Sequence, residues 1–296
     1  MSATEAAESH RWRSPLLGEA LTLELPQGRL DAFQRGEGPP LVFAHGWLAN
    51  ANLWRGVVDL LAERFSCYVL ELPFGAHRTA LGAGIDLSAE GCGELVGEAL
   101  AALDLDGATL VGNDSGGAYS QIALSRRPEL AERLVLTSSE TPYDEFPPPP
   151  FDGLPALAQE PAQLRQLLAA LEDPEVRKLP AAFGLLTKHP LDPRVSDSYA
   201  LPCLRDEGVL RDTAAVMAGA STAAARQAGR RLVESWRKPT LLVWSREDPV
   251  FPIAHARRYA AELADARLVE IEDSYSFTPE DRPDALAAAI AEFAAA

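Results

Sequence analysis

The segment Leu110-Val111-Gly112-Asn113-Asp114-Ser115-Gly116-Gly117 decides the fold of this chain. It leaves an apolar run typical of a buried strand and enters a pattern typical of a helix. A sharp strand-to-helix turn strains its central residue, and the residues two before and two after must be small because strand and helix nearly collide there. Centring the turn on Asp114 places glycine at both positions, whereas centring it on Ser115 places the larger Asn113 at the first. The sequence therefore predicts a carboxylate at the apex of the turn.

Outward from this turn, short apolar runs alternate with stretches of helical spacing, a pattern typical of βαβ units. The predicted strands cover residues 20–25 and 29–34, which form a hairpin, and 40–46, 67–72, 108–113, 133–139, 240–245 and 267–272. The predicted helices cover residues 51–64, 88–103, 115–126, 253–264 and the end of the chain from about 280. These elements predict an α/β fold with a mostly parallel eight-stranded sheet and helices on both faces.

The alternation breaks at residues 140–150, where four consecutive prolines can donate no backbone hydrogen bond. The residues from 151 to 230 favour helix and contain no buried-strand run. A helical block inserted after the sixth strand is expected to form a lid over the site, because loops at the carboxyl ends of parallel strands build the site. The predicted domains are a disordered tail at 1–18, a core of 19–140 and 231–296, and a helical cap at 141–230.

The composition argues against several classes of protein. With 27 basic and 43 acidic side chains the formal charge is −16, which repels nucleic acid. The three cysteines, Cys67, Cys92 and Cys203, are far apart and fit neither a disulfide framework nor a zinc ribbon. The start lacks the apolar stretch of a signal peptide, and no apolar run is long enough to span a membrane. We therefore expect a soluble, cytoplasmic protein that binds no membrane.

The sequence also restricts the expected partners. It contains no cluster of metal ligands and no phosphate-cradling loop, so we expect neither a metal nor an organic cofactor. The expected partner is a small-molecule substrate. Both a monomer and a homodimer are compatible with the sequence.

Two further motifs accompany the turn. Phe43-Ala44-His45-Gly46-Trp47 ends an early strand, and Trp244-Ser245-Arg246-Glu247-Asp248-Pro249-Val250-Phe251-Pro252 follows the seventh strand. With these motifs the chain resembles the α/β-hydrolase superfamily along nearly all its length. It resembles in particular the epoxide hydrolases and haloalkane dehalogenases that use an aspartate nucleophile. In those relatives the aspartate attacks a saturated carbon, and water then hydrolyses the resulting ester.

The resemblance implies roles for several residues. Asp114 would be the nucleophile, and Asp248 would be the acid of the catalytic triad. The backbone N–H groups of Trp47 and Ser115 would form an oxyanion hole that holds negative charge on the carboxylate. Some dehalogenases carry the acid after the sixth strand, where this chain has Glu140, but we interpret Glu140 as a solvated loop charge.

The histidine base of this family is missing. In relatives it follows the eighth strand, where this chain has Ser276, and no histidine lies beyond His255. A serine hydroxyl cannot accept a proton from water near neutral pH, and a general base typically contributes about 10²–10⁴-fold to the rate. Without an imidazole partner Asp248 needs other donors, and the candidates are Ser276, Arg246 and backbone N–H groups.

Other side chains are candidates for the missing functions. His77 follows the fourth strand and is the best substitute for the base, ahead of His189 in the lid. His255 is expected on the surface and His10 in the tail. The candidates for contact with the substrate are His45, which is expected to brace its loop rather than to catalyse, and three tyrosines, Tyr143, Tyr199 and Tyr275.

Residues that are typical of epoxide hydrolases and of haloalkane dehalogenases are absent from this sequence. Epoxide hydrolases usually have proline where this chain has Leu48, and their lids supply two tyrosines. Dehalogenases usually place a tryptophan directly after the aspartate to hold the halide, where this chain has Ser115. The indole N–H of Trp47 is a candidate for contact with a leaving group.

Four functions stay open. The first is hydrolysis of the epoxide hydrolase or dehalogenase type, with a relocated base such as His77. The second is proton transfer by Asp114, its pKa raised by desolvation, in an isomerase, lyase or cyclase. The third is non-catalytic binding of a small molecule, and the fourth is a serine esterase that uses Ser115, disfavoured by Asn113 and the missing base. We predict a hydrolase-class enzyme of the α/β-hydrolase fold that acts on a small apolar compound through Asp114.

Overall fold

A single sheet forms the centre of the computed structural model, which describes residues 9–295. Its strands are β1 (Glu19–Leu25), β2 (Gly28–Arg35), β3 (Pro40–Ala44), β4 (Ser66–Leu70), β5 (Thr109–Asn113), β6 (Arg133–Thr137), β7 (Thr240–Ser245) and β8 (Ala266–Ile271). The strands inside the sheet read as continuous apolar runs because both of their faces are buried. The bounds lie within two residues of the predicted ones.

The sheet has the order β1-β2-β4-β3-β5-β6-β7-β8. Strand β2 is antiparallel to β1 and β4, and all other neighbouring strands are parallel. The predicted α/β fold with an eight-stranded, mostly parallel sheet is confirmed. The register places Ala44 at the end of β3 beside Gly112 in β5. The loops that follow these two strands therefore meet at the carboxyl end of the sheet, where α/β folds build their sites.

The helices connect and cover these strands. They are α1 (Arg55–Leu61), α2 (Ala89–Leu103), α3 (Ser115–Arg126), α4 (Leu154–Ala158), α5 (Pro161–Ala169), α6 (Pro193–Ala200), α7 (Pro202–Arg205), α8 (Glu207–Ala218), α9 (Thr222–Ser235), α10 (Ile253–Glu262), α11 (Thr278–Asp281) and α12 (Pro283–Ala294). Short 3-10 helices cover Ser9–Arg11, Pro15–Leu17, Ala51–Trp54, Pro128–Leu130, Ala170–Glu172 and Val176–Lys178. Within residues 9–295, no helix combines the length and the apolar character that crossing a bilayer requires.

The segment between β6 and β7 contains helices α4 to α9. Helix α4 packs against α5 and α8, and these helices form a helical cap. Helix α9 packs instead against α3 of the core. Gly229 allows the close packing, since a Cβ there would lie 3.2 Å from Oε1 of Gln121 in α3 and 2.5 Å from Cγ of Pro142 in the loop after β6. The sequence predicts a cap that ends at residue 230, whereas helix α9 (Thr222–Ser235) contacts α3 of the core.

The N-terminal segment corrects a second prediction. Residues 1–8 of the predicted tail lie outside the described residues, but residues 9–18 are ordered and packed. Arg13 forms a buried ion pair with Glu71, and its Nη2 donates to the carbonyl oxygen of Ala76 at 2.7 Å. Leu17 is fully buried. A charge pair removed from water is stable only with such complete pairing, so Arg13 fastens the segment to the core.

Candidate active site

The turn between β5 and α3 is centred on Asp114. Its φ of 53° and ψ of −141° lie outside the regions that most side chains adopt. A Cβ at Gly112 would lie 2.6 Å from Cα of Gly117, and a Cβ at Gly116 would lie 2.5 Å from the carbonyl oxygen of His45. The two glycines are therefore required on either side of the turn, as the sequence predicts. The turn raises the side chain of Asp114 out of the sheet at its carboxyl end.

Asp114 lines a cavity under the cap. Its volume is about 150 Å³, comparable to that of cavities that take up benzene. Three of its lining residues are polar, namely Asp114, Ser115 and Glu140; the apolar lining includes Phe146, Leu168, Leu171, Phe183, Leu186 and Met217. Leu167 and Leu179 also line the cavity and are 46% and 52% exposed, so its mouth is apolar too. The enclosure therefore suits a small apolar compound that reacts at a carboxyl group.

The surroundings of Asp114 change its acidity. Burial, together with the negative charge of Asp248, raises the pKa of Asp114 to about 7. Hydrogen bonds from the backbone and the side chain of Ser115 act in the opposite direction. At neutral pH both the acid and the carboxylate forms of Asp114 are consequently populated. A group with its pKa near the working pH is suited to accept and return a proton.

The two predicted oxyanion donors are not equivalent. The N–H of Ser115 donates to Oδ1 of Asp114 at 2.5 Å. The N–H of Trp47 donates instead to Oγ of Ser115 at 2.9 Å. The indole N–H of Trp47 donates to Oη of Tyr119 at 2.9 Å, so the predicted contact with a leaving group is wrong. Ser115 therefore stands between Trp47 and the carboxylate.

Asp248 follows β7 and is held by its own loop. Its Oδ1 accepts from the N–H groups of Val250 and Phe251, each at 2.9 Å, and from Oγ of Ser276 at 2.8 Å. Its Oδ2 is buried without a partner among the described residues. Burial raises the pKa of Asp248 to about 6, although these donors act in the opposite direction. Of the predicted donors, Arg246 is excluded, because it pairs with glutamates of β8 and the loop after it.

Glu140 corrects the interpretation drawn from the sequence. It is 2% exposed rather than solvated, and it lines the cavity together with Asp114. Neither of its carboxyl oxygens has a hydrogen-bond partner among the described residues. Burial and then the charge of Asp114 raise the pKa of Glu140 well above its usual value. The sequence feature that could have indicated a place in the site is the position of Glu140 shortly after the sixth strand, where some dehalogenases carry their acid.

The histidines do not supply the missing base. His77 does not line the cavity; its Nε2 lies 3.3 Å from Oδ2 of Asp212, and its Nδ1 accepts weakly from the N–H of Gly75 at 3.4 Å. The structure therefore places His77, the predicted relocated base, outside the cavity, because Nε2 faces Asp212 of α8 and Nδ1 faces the backbone of its own loop. His189 and His255 pair with Asp273 and Asp144 outside the cavity.

His45 braces its loop, as expected, and does not contact the cavity. Its Nε2 accepts from the N–H of Leu72 at 2.9 Å, and its Nδ1 lies 2.9 Å from the carbonyl oxygen of Gly46. These partners fix the neutral tautomer with the proton on Nδ1. Burial lowers the pKa of His45 to about 4. Its predicted contact with the substrate is therefore wrong.

The three predicted tyrosines also lie outside the cavity lining. Oη of Tyr143 donates to Glu262 on α10, and Oη of Tyr199 donates to Glu280 at 2.7 Å. Tyr275 donates its backbone N–H to Asp281 at 2.9 Å. The structure therefore does not bring the three tyrosines to the cavity, where the sequence predicts a contact with the substrate.

Known proteins resemble the chain along most of its length. Residues 39–283 match the model of the alpha/beta hydrolase fold. The chain is 28% identical over 281 residues to haloalkane dehalogenase 2 of Mycobacterium tuberculosis, over 93% of this chain and 94% of that protein. It is 30% identical over 205 residues to the pimeloyl-acyl-carrier-protein methyl ester esterase of Aeromonas hydrophila, over 59% of this chain and 78% of the esterase. The solved structure of the haloalkane dehalogenase DatA from Agrobacterium tumefaciens has a TM-score of 0.76 at 18% identity, over 96% of this chain and 99% of that one, a likeness of fold alone.

Proposed function

Because the chain belongs to the alpha/beta hydrolase fold family, we propose that it is an enzyme that transforms a small, largely apolar organic compound with Asp114 as the reactive group. One observation carries this proposal, namely that the carboxyl group at the apex of the strained turn lines an apolar cavity under the cap. Backbone strain of this kind is retained where the surrounding structure holds a reactive group in place.

The chemistry that the geometry supports best is general-base catalysis by Asp114. The raised pKa of about 7 gives Asp114 a basicity close to that of imidazole. None of the described histidines lines the cavity, so no imidazole there can activate water against an ester. A direct attack of water that Asp114 deprotonates needs no such second base. The hydrolysis therefore proceeds in one step without a covalent intermediate.

The second candidate is attack of Asp114 on a saturated carbon, as in relatives of the aspartate-nucleophile branch. It is favoured by the hydrogen bond from the N–H of Ser115 to Oδ1 of Asp114, which orients the carboxylate and leaves Oδ2 to attack. The 28% identity to haloalkane dehalogenase 2 supports it as well. The resulting ester would be long-lived because Ser276 stands at the position of the base.

A single-turnover experiment in ¹⁸O-labelled water separates the two routes. The enzyme, in excess, is incubated with a panel of benzene-sized epoxides and alkyl halides, and product and intact protein are weighed by mass spectrometry. General-base catalysis delivers the label into the product in the first turnover and leaves Asp114 unmodified. Attack by Asp114 delivers unlabelled oxygen in the first turnover, or a stable adduct on Asp114.

The matched variant Asp114→Asn keeps the size of the side chain and removes its basicity. We expect it to abolish product formation and adduct formation alike. Turnover that persists in folded Asp114→Asn would overturn both routes and the proposal as a whole.

A further inference from the structure

The position of Glu140 is set by the core rather than by a mobile loop. Its carbonyl oxygen accepts from Nε2 of Gln121 in α3 at 2.7 Å. Oε1 of Gln121 in turn accepts from Oη of Tyr259 at 3.0 Å. Because Gln121 and Tyr259 belong to core helices, the backbone of Glu140 is fixed relative to the turn that carries Asp114. Its side chain then lines the same cavity as Asp114.

The groups around Glu140 are acidic. Asp114 stands on the turn after β5, Asp144 on the same loop as Glu140, and Tyr119 on α3. The carboxyl group of Asp144 is already paired with Thr141 and His255. Neither oxygen of Glu140 accepts a hydrogen bond from the described residues, so its ionised form lacks the partners that a buried charge needs.

Two carboxyl groups that share a dry site do not ionise together, so one keeps its proton while the other is charged. Asp114 receives hydrogen bonds from Ser115, which favour its ionised form, whereas Glu140 receives none. The proton therefore resides on Glu140 when Asp114 is a carboxylate. Pairs of carboxyl groups with unequal surroundings divide the roles of acid and base in this way.

We propose that Glu140 is a catalytic residue, the proton donor to a substrate oxygen whose bond to carbon breaks, opposite Asp114 as the base. This inference rests on the proposed function and adds the partner group and the type of substrate. A purely structural role would be filled as well by an apolar side chain, because a buried carboxyl group without partners destabilises the fold.

The step balances as follows. The oxygen of water forms a bond to the substrate carbon, and its proton passes to Asp114. The carbon–oxygen bond of the substrate breaks, and the released oxygen takes the electron pair and the proton of Glu140. The proton on Asp114 then returns to Glu140, which restores both groups.

This division of roles favours a strained cyclic ether, such as an epoxide, over an alkyl halide. An alkoxide is strongly basic and leaves much faster when it is protonated, whereas a halide leaves as a stable anion without a proton. The indole N–H of Trp47, which faces Tyr119, is not available to hold a halide.

The test compares an epoxide and an alkyl bromide with the same carbon skeleton in Glu140→Gln. We expect turnover of the epoxide to fall by about 10²–10⁴-fold, the usual contribution of a general acid, and reaction with the bromide to fall by about tenfold or less. The matched control is Glu145→Gln, the same change at a side chain that is 55% exposed and paired with Arg226. An equal loss for both substrates, or no loss, in folded Glu140→Gln would overturn the role of Glu140. The failure of Asp114→Asn to abolish activity would instead overturn the proposed function.

A second measurement does not depend on the choice of substrate. Infrared spectroscopy in D₂O at pH 7 detects the carbonyl stretch of a protonated carboxyl group. We expect the wild-type protein and Glu145→Gln to share a component of this absorption that Glu140→Gln lacks. A wild-type spectrum without a band that depends on Glu140 would overturn the proposal.

Discussion

The hydroxyl group of Ser276 donates a hydrogen bond to Oδ1 of Asp248 at 2.8 Å. The other oxygen of that carboxylate, Oδ2, is buried without a partner among the described residues. The hydroxyl group of Ser276 therefore partners a carboxylate for which the resemblance to aspartate-nucleophile hydrolases predicts an imidazole.

Replacing Ser276 by histidine tests whether Asp248 can orient an imidazole. We expect Ser276→His to increase the hydrolysis of any ester on Asp114 by at least about tenfold, because a general base usually contributes about 10²–10⁴-fold. The larger side chain should also destabilise the fold by about 1–3 kcal/mol, since Ser276 is fully buried. Quenching the reaction at set times and weighing the intact protein by mass spectrometry measures the fraction that carries an ester on Asp114. Ser276→Ala is the control. Unchanged rates in a folded variant would show that Asp248 is not placed to orient an imidazole.

The stability of Asp114→Asn should depend on pH. Because the pKa of Asp114 is raised to about 7 in the fold, ionisation of Asp114 lowers the stability of the wild-type protein as the pH rises from about 4 to 7. Asparagine does not ionise, so the variant should gain stability relative to the wild type between pH 5 and pH 8. Each unit of pKa corresponds to about 1.4 kcal/mol. Urea unfolding at the two pH values measures the difference, and a difference that does not change with pH would contradict it.

The rate of reaction should rise with pH through about 7, because Asp114 must lose its proton to act. Ser115→Ala removes a side-chain hydrogen bond that lowers the pKa of Asp114, so the rising limb should move to higher pH. The pH profile of kcat/KM measures both effects. A shift to lower pH in Ser115→Ala would show that another group controls this limb.

His77 should matter for stability and not for the chemistry. Its contact with Asp212 joins the core to helix α8, and burial favours a higher pKa of Asp212 while hydrogen bonds from His77 and Arg211 lower it overall. We expect His77→Ala to lower the free energy of unfolding by about 1–3 kcal/mol, the usual loss when a buried polar group loses its partner. The pH profile of the reaction should keep its shape.

A double-mutant cycle with Asp212→Ala completes that test. The two changes should be less than additive, because each removes the same contact. Strictly additive effects, or the loss of the rising pH limb in His77→Ala, would restore His77 as a candidate base.

The sequence predicts those parts of the structure that follow from local patterns. The strands were found because buried parallel strands read as apolar runs, and the turn at Asp114 was found because only glycine fits beside it. The burial of Glu140 does not follow from its local sequence, because it depends on cap residues that are distant in the chain. The positions of the tyrosines and of His77 outside the cavity lining could not be predicted for a similar reason, since sequence position does not reveal which way a side chain faces.

The ion pair between Arg13 and Glu71 connects the beginning of the described chain to the segment around Trp47. Oε2 of Glu71 also accepts from the N–H of Ala51, in the loop that carries Trp47. Trimming the chain to residue 19 would leave the carboxylate of Glu71 buried and uncompensated beside that loop. We therefore expect a variant that begins at residue 19 to have a disturbed cavity rather than an intact one.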